Sequence, residues 1–281
     1  MSESPTPEAH PATDASLPVF RRILCGVDDG RRSQEAARQA LALASGGGEV
    51  DFVAVSGRSE PGAGRYPLSP ARAELALADA CAAAARTDVR VTTHRVDYPS
   101  PAMGLLEFSD GHDLVVIGGL RHDSRLETMV LGETGGAVLH GADVPVLVAR
   151  PYDTGGPEPA RVLAATSARR DDRETVRVAA ALARRHGARL TVLHVSDAAS
   201  ESERRELEGQ AALARSIGAQ DPIVLLEAGR PVHGVLEIAH SHADTLVVTG
   251  ARRTGLAALG SVSERVGARA RCSVLALRHR A

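Results

Sequence analysis

At 281 residues the chain has room for about two domains of roughly 130 residues, each able to bury a core without disulfides or metals. Its 43% hydrophobic and 24% charged residues suit a soluble globular protein. No apolar run approaches the ~18 residues of a membrane span, and a net charge of −2 with arginine and acid interspersed argues against a nucleic-acid surface. All 33 basic residues are arginine, which removes P-loop lysines, Schiff bases and Ser–Lys dyads.

The first twenty residues are rich in Pro, Ser, Thr and Glu, lack a signal-peptide pattern and read as a disordered tail. Residues 22–28 (RILCGVD) are predicted as a buried strand, and 33–44 as a helix with a cap at Ser33. A second strand follows at 50–56 (VDFVAVS), then a long loop to residue 69 and an alanine-rich helix over 70–86. Residues 89–96 alternate like a strand near a sheet edge. A short helix (102–109), a strand (113–118, DLVVIG), a loop to Gly132, a helix to about His140 and a strand (144–149) complete the first half. After a turn-rich linker (151–160), the order repeats. Strands are expected at 162–166, 189–196, 222–228, 245–249 and 272–277, with helices near 172–186, 201–217, 232–241 and 261–270.

The repetition is also literal. Residues 132–150 (GETGGAVLHGADVPVLVAR) align without a gap on 260–278 (GSVSERVGARARCSVLALR), with six identities ending in arginine. Strands alternating with helices imply right-handed crossovers and a parallel sheet, and Val/Leu/Ile runs imply burial on both faces. The expected fold is therefore α/β, with two tandem doubly wound domains (21–150 and 161–280) of five strands each.

In such sheets a ligand sits beyond the carboxyl ends of the strands, where strand order reverses. In the first half those positions are Asp28 and Asp29 after the first strand, and Gly118 and Gly119 after the fourth, with Val27 beside Asp28 a further candidate. Gly132, before a helix, offers free amides and a positive dipole end. Turn chemistry alone also enriches βα loops in Gly and Asp, so the residues by themselves leave both readings open.

At these residues the chain resembles the universal stress protein family, over both halves. The family pattern is an apolar strand ending in Asp and a later strand followed by G-x2-G-x9-G-[S/T]. Residues 260–278 resemble its closing helix and strand, as does 132–150. The resemblance implies that Asp28 contacts the adenosine side of ATP and that the glycines and Ser/Thr cradle its phosphates. It also implies that the last strands of the two halves meet.

Each half departs from that pattern differently. The first keeps Asp28, Gly118 and Gly132, but Arg121 (or His122, counting from Gly119) stands at the middle glycine, and Glu133 replaces the Ser/Thr. A carboxylate about 4 Å from a phosphate charge repels it by roughly 4 kcal/mol at an effective dielectric near 20. Arg121 and Arg125 are placed to offset this. The second half keeps Gly260 and Ser261, with Ser263 nearby, but has Ser167 or Thr166 where Asp belongs. Thr249 or Gly250 then takes the first glycine position and Arg252 or Arg253 the middle one.

The expected cofactor is therefore ATP or AMP with magnesium, in one half or neither. His240, His242 and Asp244 lack supporting ligand spacing for a metal. Cys25, Cys81 and Cys272 form no CxxC, which suits a reduced cytoplasm. No nucleophile–base constellation is visible, so the expectation is a stress-response regulator or protective factor and not an enzyme. Its expected partners are an adenine nucleotide, a second copy of itself and an unidentified protein, but no nucleic acid and no membrane. The competing expectations are an ATP-independent scaffold and an adenine-nucleotide hydrolase or ligase on the same fold.

Overall fold

The computed structural model describes residues 19–57, 67–119, 132–169, 172–242, 244–252 and 262–279, with only the backbone of Ala251, Arg252 and His279. Most of the expected N-terminal tail, Arg121, Arg125, Gly260 and Ser261 lie outside the described residues, as does the side chain of Arg252.

The first half runs β1 (Arg22–Gly26), α1 (Arg31–Ala44), β2 (Glu49–Ser56), α2 (Pro70–Ala84), β3 (Arg90–Asp97), α3 (Pro101–Phe108), β4 (Leu114–Gly118), α4 (Glu133–Gly141) and β5 (Val146–Ala149). The second runs β6 (Arg161–Thr166), α5 (Arg173–His186), β7 (Arg189–Ser196), α6 (Glu201–Ile217), β8 (Ile223–Ala228), α7 (Pro231–His240), β9 (Thr245–Arg252), α8 (Val262–Arg269) and β10 (Ser273–His279). This is the expected alternation, with boundaries moved by a few residues.

Local chemistry sets several of those boundaries. Ser69 and Ser100 accept hydrogen bonds from Arg72 N–H and Met103 N–H, and a proline follows each cap. Ser200 and Glu203 form a reciprocal capping box on α6, which ends at the left-handed Gly218. One expected cap is corrected. Helix α1 begins at Arg31 with Gly30 as its cap, and Ser33 lies inside the first turn. The Ser33 hydroxyl is instead taken by the Asp28 N–H, which donates to Oγ at 2.8 Å.

Among the described residues the strands form one sheet in the order β3-β2-β1-β4-β5-β10-β9-β6-β7-β8. All pairings are parallel except β5 with β10, which are antiparallel and join the halves. The last strands therefore do meet. Strand β3, expected near an edge, is the outer strand of the first half and carries exposed charged residues that discourage further pairing.

One face of the sheet carries a single hydrophobic cluster spanning both halves, from Ile23, Ala40 and Phe52 to Leu182, Leu207 and Leu275. The opposite face has two clusters, one around Leu24, Leu105 and Val138 and another around Leu163, Val235 and Val266. No helix among the described residues is long and apolar enough to cross a membrane.

Candidate functional site

Strand order reverses between β1 and β4, which are hydrogen-bonded neighbours far apart in sequence. A cleft of about 660 Å³ opens at their carboxyl ends, within the size range of small-molecule sites. Val53, Val55, Leu68, Leu105 and Ile117 supply apolar wall, and Asp28, Arg32, Ser33, Ser100, Glu133 and Thr134 supply polar groups.

Backbone approach shapes this cleft. A Cβ on Gly118 would stand 2.8 Å from the Arg32 carbonyl oxygen, so only glycine lets β4 run so close to α1. Asp28 Oδ1 accepts from Gly30 N–H at 2.8 Å, and a Cβ on Gly30 would meet that same oxygen at 2.8 Å. These contacts turn the chain sharply after β1 and set the Asp28 carboxylate beside the cleft. Gly132 has open space around its Cα and caps α4 without any side-chain hydrogen bond.

Of the candidate residues, Val27, Asp28, Gly118 and Gly132 line the cleft together. Gly119 does not. It packs where a Cβ would collide with Val148 and the buried Arg150 side chain, so its role is in the core. Sequence reasoning missed Arg32 and Ser33 as lining residues. They sit in the first turn of α1, which begins two residues before the helix start the sequence suggests at Ser33.

The second half resolves the register left open by the sequence. Ile23 pairs with Leu114 and Val162 with Leu246, and Arg22 and Arg161 open the corresponding first strands. Gly250 is therefore the counterpart of Gly118, and Ser167 that of Asp28. Strand β9 continues past the expected end at Thr249 and pairs through Arg252 with His279. The Ser263 side chain is buried in the first turn of α8.

The missing carboxylate of the second half reappears five residues later. In the first half Asp28 N–H donates to Ser33; in the second, Ser167 N–H donates to Asp172 Oδ2 at 2.6 Å, and the Ser167 hydroxyl binds the same oxygen. Acid and hydroxyl have exchanged places. Asp172 is buried and turned inward. Thr166 Oγ1 accepts from Ala168 N–H at 3.1 Å, with Ala168 at φ 51°. His194 bridges the Thr166 carbonyl (2.8 Å) and Glu203 Oε1 (3.2 Å). At the carboxyl end of β6 these side chains are engaged with one another and with the backbone. A cleft of about 450 Å³ in this half lies at the strand starts, lined by Arg161, Arg189, Ile223 and Thr245.

Other titratable groups lie elsewhere. On β2, Asp51 accepts from His112 Nε2 at 2.8 Å and lies 3.4 Å from His94 Nε2. Burial pushes the Asp51 carboxyl up, but the two imidazole hydrogen bonds outweigh it and hold it below its usual range. At the junction of the halves, burial lowers the Arg150 guanidinium to about 10. Cys25 and Cys272 are buried, and desolvation raises both thiols. His240 Nε2 accepts from Arg271 N–H at 3.0 Å. Among the described residues no group of three His, Cys, Asp or Glu is placed to hold a metal ion.

The model of the universal stress protein family matches residues 20–150 and 159–278. Among solved structures, a universal stress protein from Archaeoglobus fulgidus DSM 4304 superposes with a TM-score of 0.74 at 18% identity, over 92% of this chain and 98% of that one. A functionally unknown protein from Pseudomonas aeruginosa PAO1 gives 0.70 at 19% identity, over 95% of each chain. At these identities the likeness is one of fold. No curated protein matches the chain.

Proposed function

This chain belongs to the universal stress protein family, with a family match in each half, and from that premise we propose that it is a stress-response regulator or protective factor whose first half binds an adenine nucleotide. The observation that carries this reading is the first-half cleft. It gathers Val27, Asp28, Gly118 and Gly132 at the reversal of strand order, beside an apolar wall able to sandwich a flat base. An acidic group at the end of β1 suits the hydroxyls of a ribose.

The second half serves as its structural partner, because Asp172 is spent on Ser167 and no carboxylate takes the place of Asp28. One nucleotide per chain is therefore the expected stoichiometry. The three free cysteines support a reducing cytoplasm. Binding would act through association with a second copy or another protein. The engagement of Asp172 by Ser167 in the second half also favours the rival reading, a scaffold that needs no ligand.

Thermal unfolding with millimolar ATP, ADP or AMP and magnesium separates the two. A ligand at about 100 times its dissociation constant adds roughly 2.7 kcal/mol, a rise of about 5–10 °C at this length. Asp28→Ala should abolish most of that rise. No shift with any nucleotide would leave the scaffold reading in place.

A further inference from the structure

The cleft combines an apolar wall of Val53, Val55, Leu105 and Ile117 with Asp28 after β1 and with the first turn of α4, where Glu133 and Thr134 line it. A helix start favours an anion, and here the helix supplies its own. Glu133 is the first residue of α4 and the acidic group of its first turn. It is exposed and has no hydrogen-bond or ion-pair partner among the described residues. The charged groups lining the described cleft are Asp28, Glu133 and Arg32, one cation against two carboxylates.

We infer that Glu133 is a specificity-determining residue that makes this cleft select a nucleoside, or a nucleotide with a single phosphate, over a triphosphate. The inference rests on the adenine-nucleotide reading and deepens it. A phosphate chain running from a ribose at Asp28 toward α4 brings its negative charges to the Glu133 carboxylate. The repulsion grows with each phosphate added, while the base and ribose ends of the ligand are indifferent to it. Selectivity therefore comes from repulsion at Glu133 and not from extra contacts elsewhere in the cleft.

Isothermal titration of the full chain with adenosine, AMP and ATP, in low salt with magnesium, tests this. Wild type should bind adenosine and AMP at least about tenfold more tightly than ATP, a gap of about 1.4 kcal/mol. Glu133→Gln and Glu133→Ser should each close most of that gap by strengthening ATP and leaving adenosine unchanged. Raising salt should narrow the wild-type gap and barely move the variants. Because Glu133 is exposed, both variants should fold, and circular dichroism with thermal unfolding of each ligand-free variant reports that they have. Wild type binding ATP more tightly than adenosine, or variants that strengthen all three ligands equally, would overturn the inference while leaving nucleotide binding intact. Failure of all three to bind would overturn both.

Discussion

The arginine that ends each copy of the sequence repeat has a physical role that becomes visible only across the junction. Arg150, at the end of β5, donates to the Gly267 carbonyl (2.7 Å) and the Cys272 carbonyl (3.1 Å) around the end of α8. Its counterpart Arg278 donates to the Leu139 carbonyl in α4. Each half thus supplies a cation to the last helix of the other, where helix carbonyls lack partners. Gln39 and Ser273 complete the network, Gln39 donating to the Arg150 carbonyl at 2.7 Å. Arg150→Ala would leave buried carbonyls unpaired and a cavity, and should cost about 3 kcal/mol in denaturant unfolding. Arg278→Ala, at a half-buried site, should cost less. Equal and negligible losses would show that the pair is ornamental.

Asp51 makes a residue-level prediction about pH. Its carboxyl is held low in the folded chain, so on acidification the unfolded chain takes up this proton first. The stabilisation is therefore present above about pH 4 and lost as pH falls through the depressed folded value. Urea midpoints of wild type and Asp51→Asn should differ at pH 7 and converge below pH 4. A gap that stays constant with pH would contradict the assignment.

At the scale of elements, the turn after β1 separates the two halves more sharply than any core difference. A hydroxyl at Ser33 and a carboxylate at Asp28 leave the acid at the cleft; the reverse order at Ser167 and Asp172 draws it into the turn. The absence of Asp at position 167 was legible in the sequence. The compensating Asp172 was not, because its meaning depends on the hydrogen bond it makes. Helix α6 carries a more conventional prediction. Ser200→Ala removes one side of its capping box and should cost about 1 kcal/mol. The Glu203 carboxyl is held low first by the Ser200 N–H and hydroxyl and then by His194. The same variant should therefore raise the acid midpoint of that carboxyl in an NMR titration. An unmoved midpoint would argue against the cap.

Over the whole molecule, one hydrophobic cluster runs beneath both halves, and β5 pairs with β10 through Val146, Leu147 and Val148. The halves should therefore unfold as one cooperative unit, seen as a single calorimetric transition. A fragment ending at residue 150 would expose the β5 edge and an apolar strip. Since that edge already accepts the corresponding strand of the second repeat copy as an antiparallel partner, the fragment should dimerise through it. Sedimentation of the fragment as a monomer would show that the junction depends on side chains peculiar to the second half.

Periodicity and the repeat were enough to determine the class of fold, the order of elements and the edge position of β3. These are properties of burial along the chain, and burial leaves its mark as local pattern. The sequence also carried Asp28, Gly118 and Gly132, because strand ends in an α/β order point to the crevice. What it left undecided was pairing at a distance. Whether Gly250 or Thr249 matches Gly118 turns on strand register, which a one-residue slip would alter. Whether Gly119 faces ligand or core turns on where Arg150 lies. The tertiary structure decided these because hydrogen bonds and steric contacts join residues far apart in the chain, as Gln39 and Arg150 are. Such contacts depend on direction and distance in space, and neither is written in the local pattern of any one segment.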